Sequence, residues 1–351
     1  MGKLAVHKYF LMMFLIIQIV TSIFTFVGLW GGSKSPVGNT VQAMTVYVLP
    51  LLIMANVILL AYWMIRRRWI FSAIPTLTIL SCIPYIGTIY QLRSLPEDTD
   101  GRYGVKIATY NVALFGRETS GFMAQDILSE MKKQKVDVLC MQEYSDVCGD
   151  KRNSNSYKEY FPYMSTGNND MVVYSKYPIR GYKNIPFEES NNSAMWVDID
   201  VNGKMLRVFN VHLETTGFNR TLRSAAKMEM KGLHVERNSL ISAIYDNYTL
   251  GMIIRAGQAT TVANERHNSP VPAIVCGDFN DVPYSYVYNT MLGNMTDGFK
   301  ECGSGWMRTY KNKKPVRIDY IFHDKSLNGI TYYRKSLTYS DHDPVFMKIA
   351  L

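Results

Sequence analysis

Three apolar runs at the start of the chain set the first constraint. Tyr9–Trp30, Met44–Ile65 and Trp69–Leu92 are each more than 20 residues long and nearly free of charge. A helix rising about 1.5 Å per residue needs roughly 20 such residues to cross about 30 Å of hydrocarbon. Tyr9, Trp30, Trp63, Trp69 and Tyr90 stand near the ends of these runs, as interfacial aromatic belts do. Gln18, Asn56, Pro50, Pro75 and Pro84 fall inside them and are tolerated where helices face one another in a bundle. The first run is too long for the apolar core of a signal peptide and lacks a small-x-small cleavage site. It therefore reads as a retained helix.

Basic residues orient the three helices. Lys3 and Lys8 precede the first, and Arg66, Arg67 and Arg68 separate the second from the third, whereas the loop between the first two holds only Lys34. The positive-inside rule places the N-terminus and the triple arginine in the cytoplasm, so everything after Leu92 lies outside it. The expected location is a bacterial cytoplasmic membrane with the larger domain on the extracytoplasmic side. Residues 93–104 are polar, with Pro96, Gly101 and several acids, and read as a linker. The expected division is residues 1–92 as the membrane region, residues 93–104 as the linker, and residues 105–351 as one α/β domain with a large core.

Charge argues weakly for nucleic-acid binding. The formal net charge is +9, but residues 1–104 carry 8 Lys/Arg against 3 Asp/Glu, leaving the rest with 30 against 26. A nucleic-acid binder usually shows a clearer basic stripe. The five cysteines show no C-x-x-C spacing. Cys82, Cys140 and Cys276 lie in apolar runs and read as small core residues. Cys148 and Cys302 sit in loop-like sequence, which does not decide whether they pair.

The second part repeats one pattern: an apolar strand that ends in a polar group. Gly104–Asn111 alternates like a strand and ends on an amide, and Asp137–Glu143 ends on a carboxylate. A helix is expected over Phe122–Lys135. Met195–Val201 and Met205–Leu213 flank Asn202-Gly203, a hairpin signal, and the second of these strands ends in Asn210-Val-His212-Leu-Glu214. Ile274-Val-Cys276 runs into Gly277-Asp278-Phe279-Asn280. Ile318–Phe322 holds Asp319, and Ser340-Asp341-His342 precedes the last strand.

Each of these residues has an ordinary reading by itself. Glu143 could be a solvated charge, Asp278 and Asn280 turn caps, and His212 a packed imidazole. Asp319, inside an apolar strand, needs a partner. If the strand ends converge, the set suits metal-assisted phosphoester hydrolysis: hard oxygen donors for Mg²⁺, with imidazoles for phosphoryl charge or proton transfer.

Asn111, Glu143, the NVHLE around His212, GDFN at Gly277–Asn280, RIDYIF at Arg317–Phe322 and SDH at Ser340–His342 together resemble the endonuclease/exonuclease/phosphatase superfamily. The resemblance spans nearly all of residues 105–351 and is weakest over Thr215–Pro270. It implies a four-layer α/β/β/α sandwich, here preceded by three transmembrane helices. It also implies Mg²⁺, with Mn²⁺ as a substitute, held by Glu143 with Asn111 and Asp341 nearby. Asp278 and Asn280 would orient the attacking water and the phosphate, Asp319 would pair with His342, and His212 would contact a phosphate oxygen or assist the leaving group. Ala113 stands where some nucleases of the group carry an acid, which disfavours an abasic-site endonuclease. The basic stretch Thr215–Asn268, including Arg255, is expected to form helices beside the site, either solvated or in contact with substrate or membrane surface. The expected partners are a lipid bilayer and a phosphate-ester substrate. The ester is a phospholipid or another extracytoplasmic ester; nucleic acid is the alternative, and a binding module without activity is a third reading.

Overall fold

Period-two alternation, the signature of a strand with two different faces, organises the larger part of the chain. The computed structural model describes residues 3–94, 104–113, 123–144, 151–168, 171–188, 190–231, 236–311 and 316–351. It divides into two units, Met1–Thr88 with Val282–Asn289, and Ile89–Asp281 with Thr290–Leu351.

In the first unit α1 spans Lys3–Gly31, α2 spans Thr40–Ile65 and α3 spans Trp69–Ser81. A short helical turn at Ile83–Ile86 follows. Three helices, Val6–Gly31, Thr40–Ile65 and Trp69–Ile86, are long and apolar enough to cross a membrane. The third ends before the expected Leu92. The helix is interrupted at Cys82, Pro84 opens the last turn and Gly87 follows it. Tyr90–Gln91 are already extended and pair antiparallel with Gly305–Trp306. Tyr9, Trp30 and Trp69 are exposed as a belt requires, but Trp63 is fully buried, packed edge-on against Tyr62 and Phe71.

Asn56 lies at the centre of a buried polar network in this unit. Its Oδ1 accepts from Gln18 Nε2 at 2.9 Å and Ser22 Oγ at 3.2 Å, and its Nδ2 donates to Thr25 Oγ1 at 2.9 Å. Thr78 of α3 donates to Ser22 Oγ at 3.0 Å, so the network joins all three helices. In an apolar surround, where helices gain nothing by hiding apolar surface from lipid, such bonds and close packing hold helices together.

In the second unit the strands are β1 (Val105–Asn111), β2 (Val138–Gln142), β3 (Tyr163–Thr166), β4 (Val172–Ser175), β5 (Ile179–Pro186), β6 (Ser193–Val201), β7 (Lys204–His212), β8 (Ala273–Asp278), β9 (Thr296–Asp297), β10 (Asp319–His323), β11 (Asn328–Arg334) and β12 (Val345–Ala350). They form two six-stranded sheets, ordered β11-β12-β1-β2-β4-β3 and β9-β10-β8-β7-β6-β5. The β6–β7 hairpin turns at Asn202-Gly203, both at positive φ, as its sequence requires.

Alternate residues of β1 and β2 separate two cores. Val105, Ile107, Val138 and Cys140 face the other sheet, where they meet Val197, Leu206, Val208, Ile274, Cys276 and Ile321. Ala108, Tyr110, Leu139 and Met141 face outward onto α4 (Met123–Lys133) and α5 (Lys151–Tyr160), meeting Ile127, Leu128, Met131 and Tyr157 of these helices and Phe161 just past α5. Beyond the second sheet come α6 (Phe218–Met230) and α7 (Arg237–His267), the latter burying Met252, Ala256, Ala259 and Val262. The layers are those of an α/β/β/α sandwich. Cys302 is a buried free thiol, and Cys148 lies outside the described residues.

Asn56→Leu should leave Gln18 and Thr25 without their shared partner and weaken helix association by about 1–2 kcal/mol. Denaturation of the full chain in mixed micelles would measure this, and an unchanged midpoint would count against the network.

Candidate active site

The inter-sheet core changes character along its strands. On β7 the inward positions are Leu206, Val208, Asn210 and His212; on β8 they are Ile274, Cys276 and Asp278; on β10 they are Ile321 and Asp319. On β1 and β2 they end in Thr109, Asn111 and Gln142. The apolar layers therefore give way to a layer of amides and hydroxyls, and then to a layer of ionisable groups.

The amide layer ties the sheets together. Gln142 Nε2 donates to Asn210 Oδ1 at 2.6 Å and to Thr109 Oγ1 at 2.9 Å. Asn210 Nδ2 crosses from the second sheet to the first, donating to Met141 O at 2.9 Å and Val172 O at 3.1 Å.

Above this layer, strand register sets the site. His212 is level with Asp278 across the parallel pair, and Asp319 is level with Asp278 across the antiparallel pair. Gly277, at φ +141°, allows the close approach, because a Cβ there would come within 1.9 Å of Val211 O. Asn111 Nδ2 donates to Glu143 Oε1 and Asp278 Oδ2, each at 3.0 Å. Glu143, just past the end of β2, and Asn280, just past β8, both adopt positive φ. Such backbone strain concentrates at functional sites.

His342 enters from the loop before β12. Its Nδ1 lies 3.0 Å from Asp319 Oδ2 and its Nε2 lies 3.7 Å from Asp278 Oδ2. Ser340 holds this loop by donating to Asn111 O at 2.7 Å and accepting from His342 N at 3.1 Å. Burial works against charge on His342, but Asp319 and Asp278 outweigh it and push its pKa up to about 10. Asp278 is pushed up to about 7 by burial, with Asp319 adding to the shift and His342 opposing it. His212 goes the other way, lowered mainly by burial against the pull of Glu143. Its Nε2 is buried, 3.8 Å from Glu143 and 3.9 Å from Asp278, and makes no hydrogen bond.

The remaining residues behave differently. Asn280 receives its own backbone support from Asp278 Oδ1 at 2.8 Å, and its Nδ2 donates to Leu213 O at 2.9 Å. It therefore braces the β7 end. Asp341 is exposed beside His342 and acts on it electrostatically. Asp281, at the end of the GDFND run, faces α7: Arg255 Nε reaches its Oδ2 at 3.2 Å, while Arg255 Nη1 donates to Glu214 O at 2.9 Å. Arg255 is fully buried, so it is neither a solvated charge nor a substrate contact. Thr309 carries no motif signal, yet its buried Oγ1 accepts from Ile318 N and Asp319 N, both at 3.0 Å. It fixes the carboxylate that holds His342.

A divalent cation fits this donor set. Glu143, half-exposed and oriented by Asn111, offers oxygen to the open side. Among the described residues, Asp278, Asp319 and His342 also offer ligand atoms within 4.8 Å of one another. There, however, His342 is engaged by Asp319, which suits a held proton better than a metal.

Residues 108–342 match the model of the Endonuclease/Exonuclease/phosphatase family. The chain belongs to that family. Residues 10–89 match a second family model, described as a domain of unknown function. No curated protein matches the chain. Among solved structures, an endonuclease/exonuclease/phosphatase from Bacteroides vulgatus is 17% identical, with a TM-score of 0.51 over 71% of this chain and 100% of that one. D. rerio TDP2 humanized by 14 mutations gives 16% identity and 0.51 over 71% and 99%. The human Nocturnin catalytic domain, solved with a sulfate anion, gives 18% and 0.50 over 70% and 94%. Identities this low speak to the fold. With the family established, the chain is a metal-dependent phosphoric ester hydrolase.

Asp319→Asn should remove the charge that keeps His342 protonated. In the metal-free protein the His342 ring should then lose its proton well below the native value of about 10. Turnover should fall about 100-fold or more. NMR titration and steady-state rates test the two effects. Thr309→Val should cost about 1–3 kcal/mol for each donor left without an acceptor, read from urea unfolding.

Proposed function

We propose that this chain is a membrane-anchored, Mg²⁺-dependent phosphodiesterase whose catalytic domain faces the extracytoplasmic side of a bacterial cytoplasmic membrane. Its substrate would be a phospholipid or another extracytoplasmic phosphate ester. Residues 1–92 would form the membrane region, residues 93–104 the linker and residues 105–351 the catalytic domain. One observation carries the chemistry: a buried, unpartnered imidazole nitrogen of His212 faces Glu143 and Asp278, and charged His342 lies against the same Asp278 oxygen. Three apolar helices and the arginine distribution around them carry the anchoring.

Glu143 would hold the cation, with Asn111 and Asp341 in its surround; Mn²⁺ is the natural substitute. The bound cation would neutralise a phosphoryl oxygen and lower the cost of charge developing there. Asp278, with a pKa near neutrality, would orient the attacking water and take its proton. His342, held cationic by Asp319, would donate to a phosphoryl oxygen. His212, kept neutral by burial, would offer its Nε2–H to the same phosphate. Water oxygen then bonds to phosphorus as the opposite P–O bond breaks, and the departing oxygen takes a proton from solvent. Asn280 would support the loop that carries Asp278.

Purified full-length chain with Mg²⁺ should cleave one member of a panel of phospholipid vesicles, plasmid DNA, RNA and a bis-aryl phosphodiester. EDTA should stop turnover and added Mg²⁺ should restore it, while Glu143→Gln should lower it about 100-fold or more. Preference for DNA or RNA, with steep salt dependence, would replace the lipid reading with that of a tethered nuclease. Folded protein inert toward every substrate would favour the binding-module reading. A reporter enzyme fused after Leu351 and active only in the cytoplasm would overturn the topology.

A further inference from the structure

The two helices between β7 and β8 expose more apolar surface than their own packing uses. On α6, Leu222, Ala226 and Met230 recur every fourth residue, and Leu222 and Met230 are 39% and 79% exposed. α7 changes character at Gly251. Beyond it the helix buries Met252, Ala256, Ala259 and Val262, whereas before it no residue is buried. The exposed half nevertheless reads Leu240, Ile241, Ile244, Tyr245 and Tyr248, which is one helical face. Ile241 and Tyr245 on that face are 55% and 45% exposed. Asn238, Ser239, Ser242, Asp246 and Asn247 occupy the other sides. The two helices pack on each other, and Asn247 Nδ2 donates to Thr221 Oγ1 at 3.0 Å.

The stretch of sequence that carries these faces is net basic. Residues 218–250 hold five Lys/Arg, at 220, 223, 227, 231 and 237, against three acids, at 229, 236 and 246. Lys227 and Lys231 are exposed. Apolar faces beside Lys and Arg match a surface that is anionic outside and apolar just beneath, as in a leaflet containing acidic phospholipids. The same chain carries three helices long and apolar enough to keep it at a bilayer.

We infer that the α6–α7 pair is a second, reversible membrane contact, which lays the Leu222/Met230 and Ile241/Tyr245 faces into the leaflet next to the catalytic domain. This rests on the anchoring proposed above but not on the identity of the substrate. The contact leads to the site through α7. Past Gly251, Arg255 grips Glu214 O and Asp281, and Gln258 Oε1 accepts from Glu214 N at 2.8 Å. Both ties hold the segment that follows His212. Docking of the exposed half of α7 would therefore steady the strand end that presents His212.

The test uses full-length chain in nanodiscs, at one chain per disc, with Cys148→Ser to remove a competing thiol. An environment-sensitive fluorophore is attached to M230C, I241C or Y182C. Tyr182, 60% exposed on the edge strand β5, is the control. In discs with acidic lipid, the first two labels should shift to blue emission. Nitroxide lipids labelled near the headgroup should quench them, since an interfacial helix sits about 5–10 Å into the boundary. The control label should do neither. Lys227→Gln should lower the docked-to-free ratio about fivefold. Water-like emission at Met230 and Ile241 in correctly inserted chain would overturn the docking alone. Burial of those labels only at two chains per disc would overturn it in favour of self-association. Failure of the chain to enter discs would overturn the anchoring, and the docking with it.

Discussion

Two carboxylates level with each other on paired strands, Asp278 and Asp319, are buried at the end of the inter-sheet core. Unscreened, such a pair would cost about 4 kcal/mol at 4 Å even at an effective dielectric near 20. His342 resolves this by lying against both. Its position depends on the last strand of the chain. β12 pairs with β1, Val345 opposite Thr109, and so delivers the Ser340–His342 loop to the end of β1 where Ser340 bonds Asn111 O. The site thus needs both sheets, the chain's C-terminal strand and their packing at once. Glu143 and Asn111 come from one sheet, His212, Asp278 and Asp319 from the other.

The amide layer beneath makes this geometry rigid. Sheets that meet only through Val, Ile and Leu can slide by small steps at modest cost, because apolar contacts have little direction. Asn210 bonds two carbonyls and one amide of the opposite sheet, and each has one position where it is satisfied. The layer holds His212, two residues further along β7, at a set height above Gln142 and hence beside Glu143. Asn210 belongs to the same short motif as His212, and the structure gives the reason: one side chain fixes the sheets and the next inward one faces the chemistry.

Much of this was legible because strands carry side chains with a period of two. A run such as Ile274-Val-Cys276-Gly-Asp278 states its own inward face, and the ends of five such runs name the site. Helix α4, the helices between β7 and β8 and the β6–β7 turn were legible for similarly local reasons; α5 was not. What was not legible depends on contacts between residues distant in sequence. Thr309 looks like any loop threonine until Asp319 N is found against it, and Arg255 looks like a surface charge until Asp281 and Glu214 are seen to enclose it. Trp63 sits at a helix end in the sequence, but rings from neighbouring positions bury it. The third apolar run continues past Gly87 in composition although its helix does not, because hydropathy reports what a segment tolerates around it and not where its backbone turns.

The charge of the assembled site also explains why this chemistry is tied to a cation. Glu143, Asp278, Asp319 and Asp341 gather four carboxylates, while His342 is the one imidazole held charged and burial keeps His212 neutral. If Asp278 is ionised, as its proposed role as proton acceptor requires, the cluster is net negative, and a phosphate ester is itself an anion. The overall charge of the catalytic part, 30 basic against 26 acidic residues after position 104, is too small to offset that locally. On the function proposed above, a divalent ion held by Glu143 would offset two of these negative charges where the phosphoryl oxygens would come, leaving Asp278 to act on water. On that reading, the same carboxylates that would hold the ion would repel an anionic substrate in its absence.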